Sequence, residues 1–204
     1  MPQVASVNKR DTLYRKAFDA WSSGEYAYAL EQSRELLREF PDFDVGCVLQ
    51  GIILYELARY EESEQVLHQA VRSLSLEHLD HAYHHLGHLY EARGDHDSAE
   101  KWYRKAAELN PNHTWRYVFL GGLLAKRGDF SGAEACHRKA IQCSSGDVLD
   151  EAYLNLGLVL RAQERYKEAL ACFEKALELT PDYREAITAK SDIEKAIAYL
   201  QVEA

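Results

Sequence analysis

The sequence predicts an all-α fold, a solenoid of short helix pairs, and three observations lead to this prediction. Apolar and small residues recur at helical spacing, as Leu156, Gly157 and Leu160 do in the segment 150–183. The pattern of this segment returns at every step back along the chain. Neither helix of such a pair can bury its apolar stripe alone, so successive pairs are expected to stack on one another.

The elements follow in order along the chain. Residues 1–9 show no helical period and are expected to form a loose leader. Five repeats come next, and they span residues 10–43, 44–79, 80–113, 114–149 and 150–183. Residues 184–204 form one more amphipathic helix, which is expected to cap the array. The residues predicted to face inward on this helix are Ile187, Ile193, Ala196, Ile197 and Leu200.

A longer period, two repeats in length, overlies the repeats, because Pro41, Pro111 and Pro181 are equally spaced and mark every second repeat. Repeats two and four have Ser75 and Ser145 where the others have this proline, and each is two residues longer. We infer that a two-repeat unit was duplicated. The turns after repeats two and four are expected to be longer and to lack a proline stop.

The repeat pattern is clearest in the third repeat, whose signature residues are Tyr83, Leu86, Gly87, Tyr90, Gly94, Ala99, Tyr103, Ala106 and Pro111. It resembles the tetratricopeptide repeat (TPR) family, whose pattern is W-x2-L-G-x2-Y, A-x3-F, A, P. The resemblance covers about 174 of the 204 residues. It implies a right-handed α-solenoid of five TPR helix pairs plus a C-terminal capping helix. Small residues such as Gly87 are expected where the two helices of a pair cross closely.

Composition excludes several classes of function. Twenty-four Lys and Arg against 33 Asp and Glu give a net charge of −9, which argues against nucleic acid and membrane partners. No apolar stretch approaches the length of a membrane span and the first residues contain no secretory signal, so a cytoplasmic location is expected. The four cysteines form no CxxC pair, so they are expected to be reduced thiols outside any zinc site.

In the TPR family the first helices of successive repeats line a concave groove that binds peptides, so the resemblance implies a peptide-binding groove here. Helical spacing selects the side chains on that face, and they are largely apolar and aromatic around a patch of histidines. The predicted groove residues are Tyr14, Phe18, Val48, Leu49, Ile52, His81, His84, His85, His88, Trp115, Val118, Phe119, Leu154, Asn155 and Leu158.

Many family members hold the C-terminal tail of a chaperone through a clamp that includes two lysines. At the corresponding positions this chain has no lysine in any window of three repeats. In repeats three to five, the clamp positions carry His84, His88, Phe119, Glu151 and Asn155. A chaperone C-terminal tail is therefore not the expected ligand.

The histidine patch permits another hypothesis. His81 with His85, and His84 with His88, have the i, i+4 spacing that can chelate a divalent metal, with His84 and His88 as the candidate ligands. Like charges on one helical face are also expected to lower the pKa of these histidines below about 6.5. The patch could therefore serve a metal- or pH-responsive regulator.

The leading prediction is a non-enzymatic adaptor or scaffold subunit that binds an amphipathic or apolar segment of an unidentified protein partner in this groove. No catalytic motif and no phosphate-binding glycine loop occurs, so neither an enzyme nor a cofactor is expected. One alternative is a structural scaffold that self-associates into a homo-oligomer. The other alternative is the regulator built on the histidine patch.

Overall fold

The computed structural model describes the backbone of residues 2–73, 76–143, 145–146 and 148–202, and the side chains of residues 9–73, 78–143, 145–146 and 148–200. These ranges hold eleven α-helices and no strand, which confirms the all-α prediction. The helices are α1 (Pro2–Ser22), α2 (Tyr26–Glu39), α3 (Asp44–Glu56), α4 (Tyr60–Ser73), α5 (Leu76–Ala92), α6 (His96–Leu109), α7 (Thr114–Lys126), α8 (Phe130–Gln142), α9 (Leu149–Ala162), α10 (Tyr166–Leu179) and α11 (Arg184–Val202).

The helices belong to two compact units, Met1–Leu109 and Asn110–Ala204, called unit 1 and unit 2 below. Unit 1 contains the pairs α1·α2, α3·α4 and α5·α6, and its first helices also touch one another, α1 with α3 and α3 with α5. Unit 2 contains the pairs α7·α8 and α9·α10, with α11 packed on α9 and α10. None of the described helices is long and apolar enough to cross a membrane.

In each pair, a small residue of the first helix faces the residue sixteen positions later, which lies on the second helix. A Cβ added to Gly87 would lie 2.5 Å from the Tyr103 ring, and one added to Gly157 would lie 2.5 Å from the Phe173 ring. Gly51 and Gly121 face Leu67 and His137 in the same way, at 2.6 Å. In the first pair the small buried Ala17 is matched by another small buried residue, Ser33. Close crossing at the predicted glycines is therefore confirmed.

The turns inside the five pairs share one geometry. Each has a left-handed residue two positions before the second helix begins, and the N–H of the next residue donates five positions back, as Asp95 does to the Tyr90 carbonyl at 2.9 Å. This is the Schellman arrangement, in which glycine avoids steric cost. The left-handed residues are Gly24, Ala58, Gly94, Gly128 and Glu164.

The two-repeat period also appears in the polar contacts between neighbouring pairs. Glu64 on α4 accepts a hydrogen bond of 2.5 Å from the Tyr90 hydroxyl and one of 2.6 Å from Arg93. Glu134, at the corresponding position of α8 two repeats later, accepts bonds of 2.8 and 2.7 Å from Arg165. In both units a glutamate of one pair thus holds the next pair near its turn.

The prediction of a loose leader is wrong, and one helix extends beyond the repeat predicted for it. Helix α1 begins at Pro2, so residues 2–9 are helical and do not form a loose leader. Proline is well suited to the first turn of a helix, and no other proline or glycine interrupts this segment. Helix α5 begins at Leu76, four residues before the predicted start of the third repeat at Asp80. No proline or glycine lies between α4 and Asp80 to delay the start of this helix.

The connections after repeats two and four therefore differ. Helix α4 ends at Ser73 and α5 begins at Leu76, so the predicted longer turn is wrong there; Ser75 lies outside the described residues. Helix α8 ends at Gln142 and α9 begins at Leu149, a longer connection than the four residues between α2 and α3, as predicted.

The capping helix α11 packs with a different stripe from the one predicted. Ala186, Ala189 and Ile193 are buried in one cluster with Phe173, and Ile197 packs against this cluster. Ile187 and Leu200 are 47% and 48% exposed, so their predicted inward orientation is wrong. The face of α11 that packs on the array thus begins with the small Ala186 and Ala189, and the larger Ile187 lies outside this face.

Candidate binding groove

The first helices of unit 1 form a pocket of about 300 Å³ between α1, α3 and α5. Seven predicted groove residues line it, and we call it the unit 1 pocket. These seven are Tyr14, Phe18, Val48, Leu49, Ile52, His81 and His85.

Helix α1 supplies an aromatic wall. The rings of Tyr14 and Phe18 are stacked with centroids 6.3 Å apart, and those of Phe18 and Trp21 are 5.4 Å apart. Tyr14 also meets Phe43 edge to face at 5.6 Å. Phe18 remains 42% exposed despite these contacts. The wall therefore presents a large aromatic surface to solvent.

Helix α3 supplies the floor of the unit 1 pocket, and two of its side chains there are buried in the core. Leu49 is 3% exposed because it packs with Ala17, Ala20 and other residues of the first pair. Val48 is 7% exposed and belongs to the cluster that includes Ala82. Ile52 is half-buried and leaves more of its side chain toward the pocket. Val48 and Leu49 thus support the pocket more than they could contact a ligand.

Helix α5 supplies the third wall through His78, His81 and His85. Burial, followed by the neighbouring His88 and His81, lowers the pKa of His85 to about 3. The predicted direction of the shift is confirmed for this residue, but burial is a larger cause than like charge. At neutral pH His85 therefore presents a neutral imidazole to the pocket.

His84 and His88 lie outside the pocket lining, at the interface with α6. The His84 and His88 rings are 4.4 Å apart, and both approach Tyr103, at 5.6 and 5.7 Å. His84 is 6% exposed, and burial, ahead of its histidine neighbours, lowers its pKa well below the ordinary value. His84 is therefore a packing residue of the α5·α6 pair.

The metal hypothesis gains no ligand set from this arrangement. Within the described part of the chain, no group of three or more His, Cys, Asp or Glu side chains is placed to hold a metal ion. His84 and His88 remain a two-histidine pair whose rings pack on Tyr103.

In unit 2 the first helices are α7 and α9. The rings of Trp115 and Phe119 meet edge to face at 6.2 Å, and the Arg116 guanidinium lies 4.2 Å from the Trp115 ring centroid. Burial lowers the pKa of Arg116 to about 10, so it still carries its charge at neutral pH.

The other predicted groove residues of unit 2 differ in exposure. Val118 and Leu154 are 3% and 5% exposed and belong to the packed core. Asn155 and Leu158 are half-buried, and Leu158 borders a cavity of about 360 Å³ between α9 and α11. Four of the six predicted residues of this unit therefore keep accessible surface.

Besides the seven predicted residues, the unit 1 pocket is lined by Val45, which helical spacing also places on this face, and by Trp21 and His78, which sequence reasoning missed. Trp21 lies three residues after Phe18 and seven after Tyr14, so helical spacing would have placed it on the same face. His78 lies three residues before His81, but the predicted start of the helix at Asp80 excluded it.

Comparison with known proteins agrees with this geometry. Family profiles described as tetratricopeptide repeat match residues 150–187 and 80–113. Photosystem I assembly protein Ycf3 of Prochlorococcus marinus (strain MIT 9215) is 31% identical over 117 residues, which cover 53% of this chain and 68% of that protein.

Two solved structures share the fold. YrrB, described as a TPR protein with an unusual peptide-binding site, has a TM-score of 0.64 at 22% identity, covering 93% of this chain and 97% of that one. PilF of Pseudomonas aeruginosa has a TM-score of 0.72 at 21% identity, covering 90% and 82%. With the repeated glycine-to-aromatic packing and the matched relative, the chain belongs to the tetratricopeptide repeat family.

Proposed function

We propose that the chain is a non-enzymatic adaptor or scaffold subunit that binds an amphipathic or apolar segment of a partner protein on its first-helix face. Membership of the family already assigns it to protein–protein interaction. The observation that carries the more specific proposal is the unit 1 pocket, where the exposed Phe18 ring, Ile52 and the neutral His85 imidazole surround an open volume.

The chemistry of the pocket favours an apolar side chain of the partner. Among the described residues that line it, none is lysine, arginine, aspartate or glutamate. Burial of apolar surface contributes about 25 cal/mol per Å², and aromatic residues at the centre of an interface usually dominate its energy. Phe119 and Trp115 offer a second aromatic surface on α7. No disulfide joins the four cysteines, all of which the structure describes, as expected in a reducing compartment, and the cytoplasm is our proposed location.

Self-association is a second candidate function, and the last helix favours it. Tyr199 and Leu200 on α11 are 63% and 48% exposed, although α11 is the predicted cap of the array. Sedimentation at several protein concentrations would separate a homo-oligomer from a monomer that binds a different partner.

The experiment for peptide binding begins with selection of ligands from a random peptide display library. The affinity of the strongest peptide is then measured for wild type, Phe18→Ala, Phe119→Ala and Lys101→Ala. Lys101 is an exposed residue of the second helix α6 and serves as the matched control. Loss of an aromatic anchor should weaken binding by roughly 1–3 kcal/mol, with the helical content unchanged.

Two results would refute the proposal. Selected peptides without apolar residues would contradict the assigned ligand chemistry. Equal affinities for all four proteins would place the binding site away from the first-helix face.

A further inference from the structure

The duplication of the two-repeat unit allows the same surface to be compared in the two units. Residues of the α5·α6 pair correspond to residues of the α9·α10 pair two repeats later, and the packing contacts Gly87–Tyr103 and Gly157–Phe173 match within this frame. A groove on the second-helix side, between α4 and α6, therefore corresponds to the groove between α8 and α10. Three of the eight lining positions are identical in the two grooves, and among the five that differ the central one carries Trp102 in unit 1 and Cys172 in unit 2.

In unit 1 this groove is filled by the chain's own indole. The Trp102 ring lies 5.4 Å from the Tyr83 ring and 5.5 Å from the His68 ring, measured between centroids. The Lys105 ammonium lies 4.2 Å from the Trp102 ring centroid, within the range of a cation–π contact. Trp102 also packs against the core cluster of Leu67, Leu86 and Leu89.

In unit 2 the smaller Cys172 leaves an open pocket of about 410 Å³. We call it the Cys172 pocket; its apolar surface comes from Ile141, Tyr153, Leu156 and Cys172, and Arg138 and Lys175 lie at its rim. Tyr153 corresponds to Tyr83 and Lys175 to Lys105, so two of the groups that surround the indole in unit 1 are present here as well.

We propose that the Cys172 pocket binds an aromatic side chain of a partner protein, in the place that the Trp102 indole occupies in unit 1. Leu156 and Ile141 would contact the ring, Tyr153 would pack against it, and the Lys175 ammonium would lie over its face. This site goes beyond the groove proposed above, because it lies between the second helices α8 and α10, with Tyr153 and Leu156 of α9 completing its lining.

The charges at the rim are compatible with such a ligand. Lys175 pairs with Glu178 at 2.6 Å, but both side chains are more than half exposed, and exposed pairs of this kind contribute little. The lysine can therefore turn toward a bound ring. Arg138 is held by Glu134 at 2.8 Å and lies 3.8 Å from Glu168, so its charge is already balanced. The choice of side chain bound in this pocket thus depends on the shape of that side chain and on its cation–π contact with Lys175.

The test uses N-acetyl-tryptophanamide as the probe and N-acetyl-alaninamide as the control, titrated into the full-length ¹⁵N-labelled protein and followed by NMR. Wild type and Cys172→Ala should show saturable shifts at Tyr153, Ala171 and their neighbours with the tryptophan probe alone. Cys172→Trp, which places the chain's own indole in the pocket, should weaken this binding at least tenfold.

Two further variants keep the test decisive if Cys172→Trp does not fold. Lys175→Gln should weaken the probe about two- to five-fold through loss of the cation–π contact. Trp102→Cys should open the corresponding groove and add a second set of saturable shifts around Tyr83. Failure of both effects would overturn the proposal.

Other results would also overturn it: no saturable shifts in wild type, equal binding by a folded Cys172→Trp, or shifts confined to the unit 1 pocket. The last result would leave the proposed groove function intact, so the two proposals fail separately. Self-association of wild type that Cys172→Trp abolishes would assign the pocket to a second copy of the chain and refute a different partner.

Discussion

The α5·α6 pair and the α9·α10 pair share their packing but present different surfaces. Gly87 against Tyr103 and Gly157 against Phe173 bring the helices together at the same distance. On the first-helix face, however, His81 and His85 stand where the second pair has Glu151 and Asn155, and all four side chains keep accessible surface. The contacts that define a repeat are therefore preserved while the outward positions vary, which is where a repeat protein can carry specificity.

The strongest test of the shared packing is to add one methyl group at the crossing points. Gly87→Ala and Gly157→Ala should each lower the free energy of unfolding by about 1–3 kcal/mol, because the new Cβ would overlap an aromatic ring. Gly122→Ala is the matched control, since nothing lies within 4 Å of its added Cβ and alanine favours a helix by about 1 kcal/mol. Urea unfolding measures the change in all three variants. Unequal losses of unfolding free energy at Gly87 and Gly157 would show that the two pairs do not share their packing.

The next largest effect is a loss of stability at acidic pH, and its source is His137. This residue occupies the position that Phe173 has in the fifth repeat. His137 is 1% exposed, neither ring nitrogen has a hydrogen-bond partner among the described residues, and burial lowers its pKa to about 4. Because the unfolded chain has the higher pKa, about 6.5, it binds the proton first. The contribution to stability is complete above about pH 6.5 and is lost as pH falls from there toward the folded pKa.

Replacing this histidine should remove that loss. His137→Phe should raise the free energy of unfolding by about 2 kcal/mol more at pH 5 than at pH 7.5. Phenylalanine should fit against Gly121, as Phe173 fits against Gly157. Urea unfolding at both pH values, with the exposed His96→Gln as control, tests this. An equal change at the two pH values would mean that His137 does not titrate as described.

The smallest effect is expected in the turns. Glu164 has a positive φ of 62° at the position that Gly94 occupies with 77° in the third repeat. The left-handed conformation costs a non-glycine residue about 1 kcal/mol, so Glu164→Gly should stabilise the protein by up to that amount. Gly94→Ala should destabilise it by a similar amount. Thermal melting of both variants would show whether the two turns are equivalent.

Much of the fold follows from the sequence because the repeat signature encodes local packing. Small residues that face the residue sixteen positions later specify each pair, and the turns at Gly24, Gly94 and Gly128 lie where these glycines predict them. The starts of α1 and α5 were not predicted, since a helix can continue beyond its amphipathic stripe when no residue stops it.

Less of the candidate site than of the fold could be predicted from the sequence. Helical spacing places Leu49 and His84 on the first-helix face, but spacing does not show that the first pair covers Leu49 and that α6 covers His84. The Cys172 pocket could not be seen until the Trp102 contacts showed what fills the corresponding groove. Burial between repeats depends on how pairs stack, and that information is not contained in any single helix.

The central claim is that the first-helix face holds the partner, and an NMR map of a library-selected peptide tests it most directly. The account predicts the largest shifts at Phe18, Trp21, Ile52 and His81, which surround the unit 1 pocket, with smaller shifts near Phe119. The same titration of Phe18→Ala should reduce the shifts around the pocket. Shifts confined to the second helices α2, α4 and α6, unchanged by Phe18→Ala, would contradict the account.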